Sequence, residues 1–285
     1  MQMAFRSNGR ARAALLGGAV LAAAPFAAAL PTAAAEPLRI CASSVEAPYS
    51  EAKAKGFENK IAEIIAKAAG REAEFVWSDK PAIYLVRDYL DKKACDVVFG
   101  VDADDERVLA TKPYFRTGYA FVTPADVQIG SDWKDAGRDE FRNFAVRFST
   151  PAELILKAAG KYENNLSYNL SLVNFEDKRN KYTQVPADKL VNEVVNGDAD
   201  MAIAFASDVA RYVKNASKPL KLTLIKDDFE RSDGMKIPLH FDQAIGVRKD
   251  DAELRKELDA AIDKAKPEID AAIAEEGIPT LQPNG

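Results

Sequence analysis

Residues 96–100 read Asp96-Val97-Val98-Phe99-Gly100, a short apolar run between an acid and a glycine. Such a run without polar alternation marks a strand covered on both faces, the environment of a parallel sheet. Outward toward the N-terminus the pattern alternates. Leu38-Arg39-Ile40-Cys41-Ala42 reads as a strand. Gly56 to Ala69 reads as a helix, with Ile61, Ile64, Ile65 and Ala68 on one face and Gly70 as its stop. Glu74-Phe75-Val76-Trp77 is a second strand, and Pro81 opens a helix with Ile83, Val86, Tyr89 and Leu90 inward. Strand, helix, strand, helix, strand predicts an α/β fold with a doubly wound parallel sheet.

In the other direction a strand from Gly118 to Thr123 is broken by Pro124, and a polar stretch from Asp126 to Arg142 follows. A second unit opens with Phe144-Ala145-Val146-Arg147-Phe148. Its first helix starts at Pro151, where Thr150 and Glu153 form a capping box. Then come a helix from Ala187 to Asn196, a strand from Met201 to Phe205, a helix capped by Ser207 and a strand from Leu220 to Ile225. Ala244 to Val247 is a returning strand. A helix from Ala252 to Glu276 closes the chain, with an interruption expected at Pro267.

Arg6, Arg10 and Arg12 precede a small-residue apolar run from Ala13 to Leu30, and Ala33-Ala34-Ala35 follows. This is the anatomy of a cleavable export signal, with cleavage expected after Ala35 and a periplasmic destination. A membrane anchor is disfavoured by Pro25, Pro31 and the high alanine content, because a spanning helix needs about 20 strongly apolar residues. The remainder, Glu36 to Gly285, carries a formal charge of −8 against −5 for the whole chain. That acidity disfavours nucleic acid and anionic membrane as partners, since phosphate backbones require clustered Lys and Arg.

Two cysteines, Cys41 and Cys95, occur in an exported chain, where a disulfide is the default expectation. Neighbouring parallel strands ending near Ser43 and Gly100 would place them too far apart for the roughly 6 Å Cα spacing of a bridge. A bridge in another register and a pair of free buried thiols both stay open. Metal sites are not expected: the one histidine, His240, has no His, Cys or acid at ligand spacing, and a structural or pH-sensing role suits it better. Nucleophile elbow, phosphate loop and dinucleotide turn are all missing from the sequence, so no catalytic residue is assigned. Lone acids such as Glu58 and Asp102 keep a small place for an enzyme.

Gly56-Phe57-Glu58 opening a helix resembles the GF(D/E) signature of amino-acid-type periplasmic solute-binding proteins. Asp96 to Gly100, Asp105-Glu106-Arg107, Lys112-Pro113-Tyr114-Phe115 and Gly118-Tyr119 resemble that family's DVI-AG, TPER, S-PYY and SG elements. Asp200 to Ala204 and Ile245 to Asp250 resemble its DAVV and GIAV-KGD segments. Trp77 to Leu90, Tyr162 to Asn165, Ser171 to Phe175, Arg179 to Gln184 and Phe241 to Ala244 resemble the branch associated with quinoprotein dehydrogenases.

This resemblance implies a two-lobed solute-binding fold joined by two strand crossovers. Residues 36–123 and 243–285 would form lobe 1 and residues 124–242 lobe 2. It also implies a periplasmic accessory of the methanol dehydrogenase that uses pyrroloquinoline quinone (PQQ). That accessory would be a monomer when free and would aid assembly or maintenance of the enzyme or handle PQQ as a ligand. The alternative is a transport receptor for a small anionic ligand other than an amino acid.

Arg107 matches the family position that grips a ligand carboxylate, with a solvated pair to Asp104 or Asp105 as the other reading. The acid that takes a ligand ammonium is replaced by Ala204, Phe205 and Ala206, so α-amino acids are not expected to bind; Asp208 could compensate only by turning inward. Ser43 and Asp102 at strand ends, and Ser149 and Thr150 at a helix start, complete the expected ligand site, capping being the other role of the last two. The aromatic, Asn-rich stretch from Lys161 to Gln184 suggests a partner surface carrying Tyr162, Tyr168 and Arg179, unless its aromatics pack inward.

Overall fold

A computed structural model describes residues 36–173 and 185–283. The chain order is β1 (Leu38–Ser43), β2 (Val45–Glu46), β3 (Ser50–Glu51), α1 (Phe57–Ala68), β4 (Ala73–Ser78), β5 (Val97–Asp102) and β6 (Leu109–Ala110). Then follow β7 (Phe115–Pro124), β8 (Phe144–Ala145), α2 (Pro151–Ala158), α3 (Tyr162–Leu172), α4 (Ala187–Asn196) and β9 (Met201–Phe205). The chain closes with α5 (Ala206–Lys214), β10 (Leu220–Leu224), β11 (His240–Val247) and α6 (Ala252–Glu276).

Parallel strands in the order β4-β1-β5 form the lobe 1 sheet, as the apolar runs predict, and β11 joins it antiparallel to β5. Helices α1 and α6 cover one face: Ile61, Ile65, Leu258, Ile262 and Ile269 are all buried there. Each fully buried Ile or Leu contributes about 2–3 kcal/mol by leaving water. Lobe 2 is built around β7, β8, β9 and β10, with α4 and α5 on one face, α2 on the other and α3 along the β8 edge. Two long strands connect the lobes. β7 pairs with β11 from Phe115 to Gly118, then with β9 and β10 from Tyr119 to Pro124, while β11 passes from β7 to β5 at Gln243. The boundaries expected at 123/124 and 242/243 therefore fall on or beside these two shared strands. At the crossover a Cβ on Gly118 would lie 2.3 Å from His240 Cδ2, so only glycine lets the strands close here. His240 itself donates from Nε2 to the Ile225 carbonyl at 2.7 Å, a structural role.

Several local expectations give way to particular interactions. After Pro81 the chain makes a short 3-10 turn and a π turn, and Ile83 faces solvent instead of the core. α6 runs unbroken through Pro267. Thr150 stands at the N-cap of α2 as expected, but the box does not form: its hydroxyl donates to Arg147 O at 2.8 Å, and Glu153 accepts from Ser149 N at 2.6 Å. Ser207 lies inside the first turn of α5 and caps nothing.

Cys41 and Cys95 form a disulfide with Cα atoms 5.5 Å apart. The register places Cys41 opposite Val98, level with the strand ends as read from sequence. Cys95, however, precedes β5 in the turn that enters the strand, so strand spacing does not set its distance from Cys41.

The stretch after Lys161 contains a helix the apolar pattern does not announce. Asn165 and Asn169, one turn apart, are fully buried and face β8. Asn165 accepts from Phe144 N at 2.9 Å and donates to Phe144 O at 2.8 Å, and Asn169 accepts from Val146 N at 3.2 Å. The two amides replace a neighbouring strand along that sheet edge.

Candidate functional site

A cavity of about 370 Å3 opens between the lobes at the carboxyl ends of the parallel strands. α1 fixes its lobe 1 wall. The Gly56 position approaches the Tyr49 carbonyl so closely that a Cβ would lie 2.0 Å from the oxygen. That approach lets the Phe57 and Glu58 amides donate to Pro48 O and Tyr49 O, both at 3.0 Å, which satisfies the helix start and sets Tyr49 and Glu58 against the cavity.

Glu58 is buried and accepts a 3.1 Å hydrogen bond from the Tyr114 hydroxyl. Its approach to the end of β5 requires Gly100, which has φ 69° and whose Cβ would fall 2.4 Å from Glu58 Oε1. Burial raises the Glu58 carboxyl to about 7, only partly offset by the Tyr114 bond. Glu46 and Asp102 on the same wall are also pushed up by burial. Glu46 accepts from Ala82 N at 3.0 Å and Asp102 from Gln243 Nε2 at 2.9 Å.

On the lobe 2 wall Arg147 donates to Asp208 at 2.7 Å and to the Val185 carbonyl at 2.8 Å. Asp208 also accepts from the Tyr49 hydroxyl at 2.5 Å, and that hydroxyl meets Ser207 Oγ at 2.7 Å, so these bonds join the lobes across the cavity. A second tie runs from Arg211 on α5 to Glu51 at 2.8 Å and, through two nitrogens, to Glu276. Tyr119, Phe205 and Phe241 complete the lining, with ring centroids 5.6–6.4 Å apart and planes steeply inclined.

Of the residues expected from sequence, Ser43, Asp102 and Thr150 line this cavity. Ser43 Oγ donates to Lys80 O at 2.9 Å. Ser149, with φ 59°, stands outside the lining and engages Glu153. Arg107 is also outside it: the half-exposed guanidinium grips Asp105 with two nitrogens and holds that carboxyl below its usual range. Tyr162 is half-buried with Lys157 above its ring, and half-buried Tyr168 donates to Glu193 at 2.7 Å. Arg179 lies outside the described residues. Among the described residues no group of three His, Cys, Asp or Glu could hold a metal ion.

The model of the bacterial extracellular solute-binding proteins, family 3, matches residues 38–274. The chain is 51% identical over 245 residues to Protein MoxJ of Methylorubrum extorquens, covering 86% of this chain and 81% of that one. The same identity and length hold for Protein MoxJ of Paracoccus denitrificans, with 89% of that chain covered. The crystal structure of MxaJ from Methlophaga aminisulfidivorans MPT superposes with a TM-score of 0.81 at 46% identity, over 86% of this chain and all of that one. The chain is a MoxJ-type member of the solute-binding proteins, family 3. Within this family fold, sequence reading missed Tyr49, Glu46 and Arg147, and counted on Asp208 only if it turned inward, as it does here. The rule that ligand sites form beyond the carboxyl ends of strands pointed to Ser43 and Asp102, and applies equally to Arg147 just after β8.

Proposed function

We propose that the chain is exported, is cleaved after Ala35, and acts in the periplasm as a non-enzymatic accessory of the PQQ-dependent methanol dehydrogenase. Its role would be to aid assembly or maintenance of the active enzyme. The observation that carries this reading is the 51% identity to two MoxJ proteins over 245 residues, a span that includes both lobes and the crossovers. The cavity adds a second argument. Its one described arginine is committed to Asp208, and among the described residues no cationic side chain bonds the other three acids. Such a lining offers no free cation to a tricarboxylate such as PQQ or to the small anionic solute of the transport-receptor alternative, which argues against both. Enzyme assembly, rather than cofactor handling, is therefore the role we favour.

The test is deletion of the gene in its own bacterium, with PQQ supplied in the medium and the dehydrogenase polypeptides quantified by immunoblot. Dehydrogenase activity should fall at unchanged PQQ supply, return on complementation, and a tagged copy should retain the enzyme on a column. Full methanol dehydrogenase activity in the deletion strain would sink the proposal.

A further inference from the structure

We infer that the interlobe cavity is a binding site for a small organic cation that carries no carboxylate, its charged head seated between Asp102 and the corner formed by Tyr119, Phe205 and Phe241. Four carboxyl side chains line the cavity, on Glu46, Glu58, Asp102 and Asp208. Against them stands one guanidinium, Arg147, already bonded to Asp208, and no described lining residue is Lys or His. With Asp208 paired and the Glu58 carboxyl raised toward neutrality by burial, the charge left to balance is that of Glu46 and Asp102, and a ligand that balances it must bring a positive group; a carboxylate on the same ligand would meet no free cation among the described residues.

The aromatic rings say where that group sits. Tyr119 and Phe205 are 5.6 Å apart at 54°, Phe205 and Phe241 5.8 Å at 81°, and Tyr119 and Phe241 6.4 Å at 65°. Three inclined rings on one cavity wall form a corner, and the faces of such rings attract ammonium groups. Phe241 and Gln243 lie two residues apart on β11, so their side chains share one face of the strand, and both line the cavity. Gln243 in turn holds the Asp102 carboxylate at 2.9 Å, which sets a negative charge beside the ring corner. A methylated ammonium matches both elements, since it pairs with the carboxylate by charge and with the rings by polarisable, weakly hydrated methyl surface. The cavity, at about 370 Å3, lies at the small end of ligand sites and suits a compact molecule.

The site and the dehydrogenase partnership are separable: a protein that binds the cation but does not retain the dehydrogenase would break only the proposal of the preceding section. The experiment is calorimetric titration of the purified protein with choline, with its neutral isostere 3,3-dimethylbutan-1-ol, and with succinate. Choline should bind at least tenfold tighter than the neutral isostere, and succinate should not bind. Asp102→Asn and Phe205→Leu should each weaken choline at least fivefold. Arg107→Ala, outside the cavity, should leave it unchanged. Equal binding of choline and dimethylbutanol overturns the inference, as does tighter binding of succinate. So does failure of choline, tetramethylammonium and methylammonium alike to bind below about 1 mM. If Phe205→Leu fails to fold, the choline-to-isostere ratio in the unaltered protein and the Asp102→Asn titration still decide the matter.

Discussion

On the lobe 1 wall Glu46, Glu58 and Asp102 face the cavity with a backbone amide, a tyrosine and a glutamine as their hydrogen-bond partners. On the lobe 2 wall Asp208 meets Arg147 at 2.7 Å, and the ion pair needs nothing from outside the protein. One surface is electrostatically open and the other closed. The difference teaches that a binding-protein cavity cannot be judged by counting its charges. What matters is which charges are already answered within the fold, because an unanswered buried carboxyl stores free energy that a ligand or a proton can recover.

The largest expected effect falls on the open wall. Lifting the Glu58 carboxyl from 4.5 to about 7 corresponds to about 3 kcal/mol. Because the folded value is the higher one, its contribution to stability is fully present below pH 4.5 and is lost as pH rises through about 7. Glu58→Gln removes the ionising group. Urea unfolding should show its stability relative to the unaltered protein rising by about 3 kcal/mol between pH 4 and pH 8. A difference that stays flat across this window would mean that Glu58 is not held protonated.

On the closed wall Arg147→Ala should cost about 2 kcal/mol, because it leaves Asp208 partly buried without its cation. The same measurement on Arg147→Ala/Asp208→Ala should recover part of that loss, since no orphaned charge remains. A double variant less stable than the sum of the two single changes would show that the pair is not the closed unit described. The smallest effect belongs to a charge outside both walls. Arg107→Ala should change unfolding free energy by less than about 0.5 kcal/mol, as exposed ion pairs contribute little. A loss well above that would give Arg107 a role in the lobe 1 structure that its half-exposed pair with Asp105 does not suggest.

Much of the fold was legible because burial on both faces writes itself into sequence as uninterrupted apolar runs. β5 and β9 are read this way, β1 with one arginine in the run, and α4 spans the residues expected of it. What escaped depends on polar side chains acting at a distance in sequence. α3 packs through Asn165 and Asn169, which bond to β8 some twenty residues earlier, so its buried face is polar and no apolar period marks it. The cavity was half legible. Strand ends gave Ser43 and Asp102, and the absence of an acid at Phe205 was plain in the sequence. Asp208 turning inward was not, because it follows from Tyr49 reaching over from the other lobe, and that reach depends on the close fit at Gly56.

The shared strands β7 and β11 also fix the order in which the molecule can be completed as the chain emerges from its N-terminus to its C-terminus where it folds. Every strand of the lobe 2 sheet has emerged by Leu224. Lobe 1 begins first but must wait: β11, which closes its sheet between β5 and β7, and α6, which covers α1, are made last. The opening third of the chain therefore spends most of that emergence with an uncovered hydrophobic face and an unpaired strand edge, while the inserted lobe can already be whole. It is this early segment, and not the later lobe, that a holding chaperone would have reason to grasp.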